Sequence, residues 1–446
     1  MRAVLSPVLL LMAVESSAAQ FELLRYEDNF ATQRHNCTER RPMACWKHRP
    51  LGEDATVSIG GGLRWRYEYI DNPAFGDAPQ DRAGVVLQRY SIFADLAWGA
   101  HWRGFAQLGM SLAHGRADGP SPVDANRLDP TNLFGEWRAN TATGTRGVRV
   151  GIQELRFGSG RLIDVREGPN VRRSFEMARA YAHYGDWRVD VIAGVPREHR
   201  PGTFDDARLD SQHLHGVYGA GRGWDVYLLH YEDARARYLN AAAHERRWTF
   251  GARRFEDRGA WAWNWEFMAQ GGRYGNADIR AWSVATDTGY TFEATVWQPQ
   301  VALLASIASG DRDPDDGRLQ TFNPMYPRGN YFGDEATLGP RNFFNLQPVL
   351  RLQPTPRMEL SGRVDFFWRH RTQDGVYAPN GRLIRAPGDS NARHVATIAS
   401  LSADWVLTPG WDAAMTLAYF RPGSFLRETG AHAPLRHVEM TIQHQF

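Results

Sequence analysis

After the N-terminal stretch from Ala3 to Val14, the sequence has no run that approaches the roughly 20 apolar residues a membrane-spanning helix needs. This absence excludes a helical membrane protein. It does not exclude a membrane protein built of strands, in which alternation hides the apolar residues, or a soluble periplasmic protein. The N-terminal stretch follows Arg2, is too short to span a bilayer and precedes Ser17-Ala18-Ala19. We therefore expect a cleaved signal peptide over residues 1–19 and a mature chain outside the cytoplasm.

Cysteine is scarce, because Cys37 and Cys45 are the only two in 446 residues. They lie close together after the leader, and in an oxidising periplasm this spacing predicts a local disulfide. His35 and His48 lie nearby and leave a cysteine and histidine metal site open as the alternative. We assign residues 20–52 to a periplasmic N-terminal segment that carries this pair.

Lysine is almost absent, since Lys47 is the only one and 51 of the 52 basic residues are arginines. A GC-rich genome explains such a bias without any functional meaning. The functional alternative is that guanidinium groups bind carboxylates through two parallel hydrogen bonds and stay charged in any surroundings. The formal net charge is only +2, and we expect no nucleic-acid partner.

Catalytic motifs are also missing: there is no Gly-x-Ser-x-Gly, no His-Glu-x-x-His and no phosphate-binding loop. We therefore predict no enzymatic activity. The remaining enzyme hypothesis is an outer-membrane barrel hydrolase, for which Ser211, His213, His215 and His230 are the nearest residues. These histidines lie in ordinary alternating segments, which favours a place in the barrel wall.

The pattern that is present has a period of two. Its clearest example alternates large apolar residues with polar ones: Trp261, Trp263, Trp265 and Phe267 against Asn264, Glu266 and Gln270. Such a stretch is amphipathic only as a strand. Roughly 16 to 18 such segments recur, with aromatic residues at the ends of their apolar faces, and the last of them closes on Phe446. The sequence predicts an all-β fold: a single transmembrane antiparallel barrel of about 18 strands over residues 53–446, in the bacterial cell outer membrane.

Connections between these segments differ in length. Short ones lie at residues 98–102, 185–186 and 220–223, whereas long ones run near Arg116 to Arg146, 310–341, 372–391 and 422–436. This asymmetry is typical of outer-membrane barrels, which have short periplasmic turns and long extracellular loops.

Three segments together resemble the alginate export family of outer-membrane barrels. They are Ser58-Ile59-Gly60-Gly61-Gly62-Leu63-Arg64-Trp65-Arg66-Tyr67-Glu68, Gly151 to Phe175 with Gly168-Pro169-Asn170, and Ser309 to Pro340 with Asn323-Pro324-Met325-Tyr326-Pro327. The resemblance implies one 18-stranded barrel that handles an acidic polysaccharide. Members of the family differ in substrate, so the resemblance supports the family assignment more strongly than it supports the identity of the transported molecule.

If the polar faces line the lumen, the sequence places an arginine ladder inside the barrel. The predicted pore-lining residues are Arg64, Arg66, Arg89, Arg149, Glu154, Arg156, Arg172, Arg173, Arg188, Arg351, Glu359, Arg363, Asp365 and Arg369. The functional interpretation is an anion-selective path along which uronate carboxylates pass from one arginine to the next. The structural alternative is a neutralised network that holds the wall together.

Asp311, Asp313 and Asp315 alternate in one loop, as hard oxygen ligands for calcium do, although the match to a known calcium loop is poor. The alternative is a loop that folds into the lumen as a gate. Apart from calcium we expect no cofactor.

We predict passive export of an alginate-like polyuronate by a monomer that contacts outer-membrane lipid and works with periplasmic export proteins. The alternative is a selective porin for small acids or oligosaccharides.

Overall fold

A computed structural model describes residues 21–35, 37–38, 42–142, 144–239, 241–333 and 337–446, so the predicted signal peptide lies outside the described residues. Eighteen long strands form one closed sheet in this part of the chain. They are β1 Ala55–Asp71, β2 Val85–Trp98, β3 Trp102–His114, β4 Asn126–Thr141, β5 Gly144–Glu154, β6 Ser174–Tyr184, β7 Trp187–Glu198, β8 Gln212–Gly221, β9 Trp224–Tyr238, β10 Ala241–Arg258, β11 Trp261–Tyr274, β12 Ala277–Thr291, β13 Gln300–Ala308, β14 Phe343–Thr355, β15 Met358–Arg369, β16 His394–Thr408, β17 Trp411–Pro422 and β18 Leu435–Gln445.

The sheet closes because the first and last strands pair, from Gly62 opposite Gln445 to Asp71 opposite Arg436. Each of the other strands pairs antiparallel with its neighbours in sequence, which is an up-and-down barrel. The two regular helices, Phe30–Arg34 and Ser424–Thr429, are short. Among the described residues, no helix has both the length and the apolar character that crossing a membrane requires.

Side chains alternate between the two faces of the wall, as the period of two predicts. In β11, Trp265 and Phe267 are about half exposed on the outside, whereas Glu266, Met268 and Gln270 are buried on the inside. This is the reverse of a soluble sandwich, whose apolar face is the buried one. The outer face is therefore an apolar band that carries aromatic residues near its edges, such as Trp98 and Trp102.

The two ends of the barrel differ, and we call them the turn end and the loop end. The turn end has connections of two or three residues, apart from residues 292–299, and contains the start of β1 and the end of β18. The loop end carries residues 72–84, 115–125, 155–173, 199–211, 309–342, 370–393 and 423–434. The long connections predicted at 310–341, 372–391 and 422–436 are confirmed.

The long connection predicted between Arg116 and Arg146 is wrong, because most of it is strand β4. Pro130 lies within that strand, and a proline in this position argues against a strand when only the sequence is known. The strand tolerates this proline because the pairing with β3 is irregular there, between Gln107 and Leu108.

Two of the connections fold into the barrel. The first inner loop (residues 155–173) and the second inner loop (described for residues 309–333 and 337–342) meet in a parallel bridge between Ile163 and Tyr326. The amide nitrogen of Tyr326 donates to the carbonyl of Leu162 at 2.9 Å, and that of Asp164 donates to the carbonyl of Tyr326 at 3.0 Å. Phe157, Leu162, Ile163, Phe322, Tyr326 and Phe332 belong to one buried apolar cluster that also includes inward residues of the wall.

The N-terminal segment, described here for residues 21–35, 37–38 and 42–47, packs against the inward face of β2, β3 and β4. Leu24, Tyr26 and Phe30 share a buried cluster with Phe93, Phe105 and Phe134 of those strands. Cys37 and Cys45 form a disulfide within this segment. The segment thus lies inside the barrel at its turn end.

Candidate functional site

Three arginines converge on Glu167 of the first inner loop, and we call this group the Glu167 cradle. Arg64 of β1 lies 3.5 Å, Arg89 of β2 2.5 Å and Arg172 of the loop itself 3.1 Å from the carboxylate. Glu167 is 38% exposed, so the cradle borders open space inside the barrel. It is a site built to hold one carboxylate.

Arg89 of the cradle and the neighbouring Arg66 also hold the main chain of the loop. Arg89 donates from Nη2 to the carbonyl of Pro169 at 2.6 Å and from Nε to that of Asn170 at 2.9 Å. Arg66 donates to the carbonyl of Gly168 at 2.7 Å. Guanidinium groups suit this work because five N–H donors in one plane can serve several acceptors at once.

The charges around the cradle stabilise the ionised form of Glu167. Burial alone would raise the pKa of Glu167, but the charges of Arg89, Arg172 and Arg64 lower it to about 2. Glu167 therefore stays ionised at any physiological pH. Glu167 was not among the predicted pore-lining residues, although an acid directly after Arg166, in a segment that also holds Arg161, Arg172 and Arg173, is a signal that would have found it.

Asn170 locks the loop in place beside the cradle. Its fully buried amide donates to the carbonyls of Gln88, Leu112 and Asp124, at 3.1, 3.1 and 2.8 Å. These carbonyls come from β2, β3 and the connection that precedes β4. One side chain thus ties the loop to three neighbouring parts of the wall.

The opposite end of the first inner loop is anchored on the far wall. Arg161 pairs with Glu266 of β11 at 3.2 Å and with Asp287 of β12 at 2.8 Å, and Ser159 donates to Glu266 at 2.6 Å. The loop therefore crosses the lumen between two sets of ionic contacts. Within it, Arg156 pairs with Asp164 at 3.3 Å.

The predicted Arg173 and Glu154 belong to the same loop region. The guanidinium of Arg173 lies 5.1 Å from the ring centre of Tyr326 in the second inner loop. Glu154, at the end of β5, is fully buried and pairs with Arg172 at 2.8 Å. Both therefore contribute to packing inside the lumen.

Towards the turn end, the wall carries a belt of ion pairs. Arg103 pairs with Asp95 at 2.5 Å and Glu136 at 3.5 Å, and Glu136 also pairs with Arg149 at 3.3 Å. The N-terminal segment lies on this belt: Arg103 donates to the carbonyl of Tyr26 at 2.7 Å, and Arg149 stacks 4.3 Å from its ring centre. This part of the predicted ladder is a neutralised network.

The belt continues on β6 and β7, where Arg179 and the predicted Arg188 share one carboxylate. Both pair with Asp190, at 2.8 and 2.9 Å. Arg188 is about one third exposed at the turn end, whereas Arg179 is buried.

Across the barrel, the inner face near the turn end is partly exposed and of mixed charge. Arg351 of β14 lies 3.9 Å from Glu359 of β15 and donates to Gln300 at 2.6 Å. Arg363 donates to Ser400 of β16 at 2.7 Å. Asp404 of β16 faces Glu359 in the register of these strands. Arginines and acids are interleaved here.

Nearer the loop end, Arg369 and Asp365 are buried. Arg369 donates to the carbonyls of Ala392 and Thr372, at 2.7 and 2.8 Å, and to that of Ser390, so it pins residues 370–393 over the barrel. Asp365 accepts from the amide of Asn345 at 2.9 Å.

The acidic side chains near the start of the second inner loop accept hydrogen bonds from the main chain of the same loop. The amide nitrogen of Asp313 donates to the carboxylate of Asp311 at 3.4 Å, and that of Asp315 to the carboxylate of Asp313 at 3.1 Å. Within the described residues these three carboxylates do not form a group with metal-ligand spacing. Burial and the neighbouring Asp374 raise the pKa of Asp311 to about 6.

The histidines considered for a hydrolase lie on β8 and β9. His215 stands opposite His230 in the register, with ring centres 6.3 Å apart, and His230 packs 4.4 Å from Trp248.

The family model described as "Alginate export" matches residues 55–438, which covers nearly the whole barrel. The chain belongs to the alginate export family. Its fold is similar to outer-membrane porins of Pseudomonas aeruginosa. OccK1 (OpdK) is 11% identical with a TM-score of 0.59, over 89% of this chain and 100% of that one; OccK5 (OpdH) is 12% identical with a TM-score of 0.54, over 87% and 98%. No curated protein sequence matches this chain.

Family membership and porin fold establish an outer-membrane channel in the bacterial cell envelope. The turn end is therefore periplasmic and the loop end extracellular. The related structures are porins, and the family is one of channels rather than enzymes.

Proposed function

We propose that this channel exports an anionic polysaccharide, an alginate-like polyuronate, by passive diffusion past the Glu167 cradle. The observation that carries the proposal is the convergence of Arg64, Arg89 and Arg172 on one carboxylate inside the barrel. A uronate residue presents the same carboxylate group as the Glu167 side chain. It can replace Glu167 in the cradle without leaving an arginine unpaired.

Replacement of Glu167 couples cargo binding to opening. In the structure the inner loops and the N-terminal segment occupy much of the lumen, so a polymer passes only if they shift. A uronate that takes the place of Glu167 releases one of the contacts that hold the loop, and the loop then depends on the main-chain hydrogen bonds from Arg89 and Arg66. The arginines exchange one charge-assisted contact for another, and the displaced Glu167, which is already 38% exposed, becomes hydrated. Transport also requires contacts weak enough to break.

The partly exposed inner face near Arg351 and Arg363 is the periplasmic approach to the cradle. Its mixed charges, with Glu359 and Asp404 among the arginines, do not bind a polyanion tightly. We therefore assign selection to the cradle and passage to the rest of the lumen. This differs from a ladder of open arginines along the whole path.

The alternative is a selective porin for uptake of small acids or oligosaccharides. A related fold has been crystallised with an aromatic acid: the structure of Pseudomonas aeruginosa OpdK with vanillate is 11% identical, with a TM-score of 0.58, over 89% of this chain and 100% of that one. The cavity beside the cradle, lined by Arg25, Arg64, Arg89, Glu154 and Arg172, has a volume of about 70 Å³. The arginines that line it suit the carboxylate of a small acid.

Flux into liposomes distinguishes the two functions. Purified channel is reconstituted, and entry of fluorescent oligomannuronate, of a neutral oligosaccharide of equal length and of vanillate is measured. Export of polyuronate predicts that the oligomannuronate enters at least tenfold faster than the neutral oligosaccharide. Entry of vanillate with exclusion of the oligomannuronate supports the porin alternative, and equal entry of both oligosaccharides contradicts the proposal.

A further inference from the structure

Three carboxylates from two separate elements meet at the extracellular end of the barrel. Asp129 lies on β4, whereas Asp205 and Asp206 belong to residues 199–211, the connection between β7 and β8. One carboxylate oxygen of each lies within 4.8 Å of those of the other two. The channel function proposed above does not use this group, which we call the Asp129 cluster.

Two oxygens in this cluster are buried without a hydrogen-bond donor. Asp129 is only 1% exposed, and its Oδ2 accepts no hydrogen bond within the described part of the chain. The same holds for Oδ1 of Asp205. Leaving ionised carboxylate oxygens buried and unpaired is costly, and placing them side by side adds repulsion. Buried acids of this kind are paired or coordinate a metal.

The other oxygens of the cluster are held firmly. Asp206 accepts from His199 Nδ1 at 2.9 Å, from the Asn126 amide at 3.0 Å and from the Arg200 amide nitrogen at 2.9 Å. These contacts fix the carboxylate, and the His199 ring faces Asp206 rather than the unpaired oxygens. The site is therefore organised before any ligand binds.

Two main-chain donors hold the remaining oxygens. Asp205 accepts from the Gly202 amide nitrogen at 3.0 Å, and Asp129 from the Asp206 amide nitrogen at 3.3 Å. Each of these two carboxylates thus uses one oxygen in a hydrogen bond to the main chain, and its other oxygen accepts none within the described part of the chain.

We propose that Asp129, Asp205 and Asp206 bind one calcium ion that fastens residues 199–211 to the rim of the barrel. Calcium accepts six to eight oxygen ligands in flexible geometry, so three carboxylates leave positions for main-chain oxygens and water. Magnesium fits less well because it requires near-ideal octahedral geometry and loses its water reluctantly. The site is distinct from the acidic run at Asp311, whose carboxylates cap their own turns.

The test is calcium titration of the full chain in detergent micelles, after chelator treatment, by isothermal calorimetry. The site predicts one calcium ion per chain, and the double variant D129N/D205N loses it. The matched control D313N/D315N, which neutralises two exposed acids of the other run, keeps it. A rise in melting temperature on calcium addition occurs in the wild type and the control only.

Two results overturn the proposal: no calcium binding by the wild type at millimolar concentration, or equal binding by D129N/D205N. Folding of each variant is verified by heat-dependent migration in gels. The single variant D205N changes only a connection between strands, so it remains testable if the double variant does not fold. We expect D205N to bind calcium at least tenfold more weakly than the wild type does.

Discussion

Arg161 of the first inner loop and Asp287 of β12 form an ion pair of 2.8 Å in which both side chains are nearly fully buried. Glu266 of β11 completes the group, at 3.2 Å from the same guanidinium. The pair fixes the far end of a loop whose near end is held by the Glu167 cradle. A loop fastened at both ends across the lumen decides how wide the channel is.

Substituting Arg161 with Met therefore opens the channel. It leaves Glu266 and Asp287 without their buried partner, which costs about 3–5 kcal/mol. We expect a lower melting temperature and a larger single-channel conductance in planar bilayers. The control is R222M, since Arg222 pairs with Asp186 on an exposed turn and its loss leaves both quantities unchanged. Unchanged conductance in R161M contradicts a role for the loop in channel width.

Substituting Glu167 with Gln removes the internal competitor for the cradle. Arg64 and Arg89 then lack their carboxylate partner and Arg172 keeps only Glu154, so an external carboxylate binds more tightly. The expected result is at least tenfold stronger block of ion current by oligomannuronate. E198Q is the control, because Glu198 lies outside the cradle and pairs with the exposed Arg200. If oligomannuronate blocks the current through E167Q no more strongly than the current through E198Q, the cradle has a structural role and does not bind the transported polysaccharide.

Arg363 and Arg369, both predicted to line the pore, are expected to differ in effect. Arg363 donates to Ser400 on the partly exposed inner face, whereas Arg369 is fully buried and holds residues 370–393 through main-chain oxygens. R363Q should reduce anion preference and leave the melting temperature within a few degrees. R369Q should lower the melting temperature clearly and increase protease cleavage within residues 370–393. The reverse pattern would show that the two positions are wrongly assigned.

Acid pH stabilises the second inner loop through Asp311. Its pKa is raised from 3.8 to about 6, so between these values the folded chain holds a proton that the unfolded chain has released. The stabilising contribution is complete below pH 3.8 and is lost as pH rises through about 6. We expect D311N to raise the melting temperature at pH 7.5 and to flatten its dependence on pH between 4 and 7.

The exposed neighbour Asp315 provides the control for this pH effect. D315N should retain the wild-type pH dependence, because Asp315 is exposed on the same loop. The expected gain for D311N is on the order of 1–2 kcal/mol, since solvent reduces the roughly 1.4 kcal/mol that each pKa unit represents. A D311N profile identical to that of the wild type would assign the pH effect to another group.

The barrel was predictable because alternation is local. Alternation within a strand shows which of its faces is apolar, as in β11 with Trp265 against Glu266, and repetition gives a count of roughly 16 to 18 segments. Strand β4 was missed because Pro130 argues against a strand in the sequence. The irregular pairing between β4 and β3 explains how the strand tolerates this proline.

The site was less predictable, because its contacts join parts of the chain that are far apart in sequence. Alternation puts Arg64 and Arg89 on a polar face, yet it does not say which groups such an arginine contacts. Their partner Glu167 lies about 80 to 100 residues away, on a loop that had to fold inwards. The Asp129 cluster arises in the same way, from a strand and a connection brought together by the closed wall.

The most direct test of the central claim, an outer-membrane channel selective for polyanions, is the reversal potential of the wild-type channel in a planar bilayer under a potassium chloride gradient. We predict anion preference and a current that oligomannuronate blocks from the periplasmic side, which is the side of the short turns. Cation preference, with no block by oligomannuronate at any concentration, would contradict it.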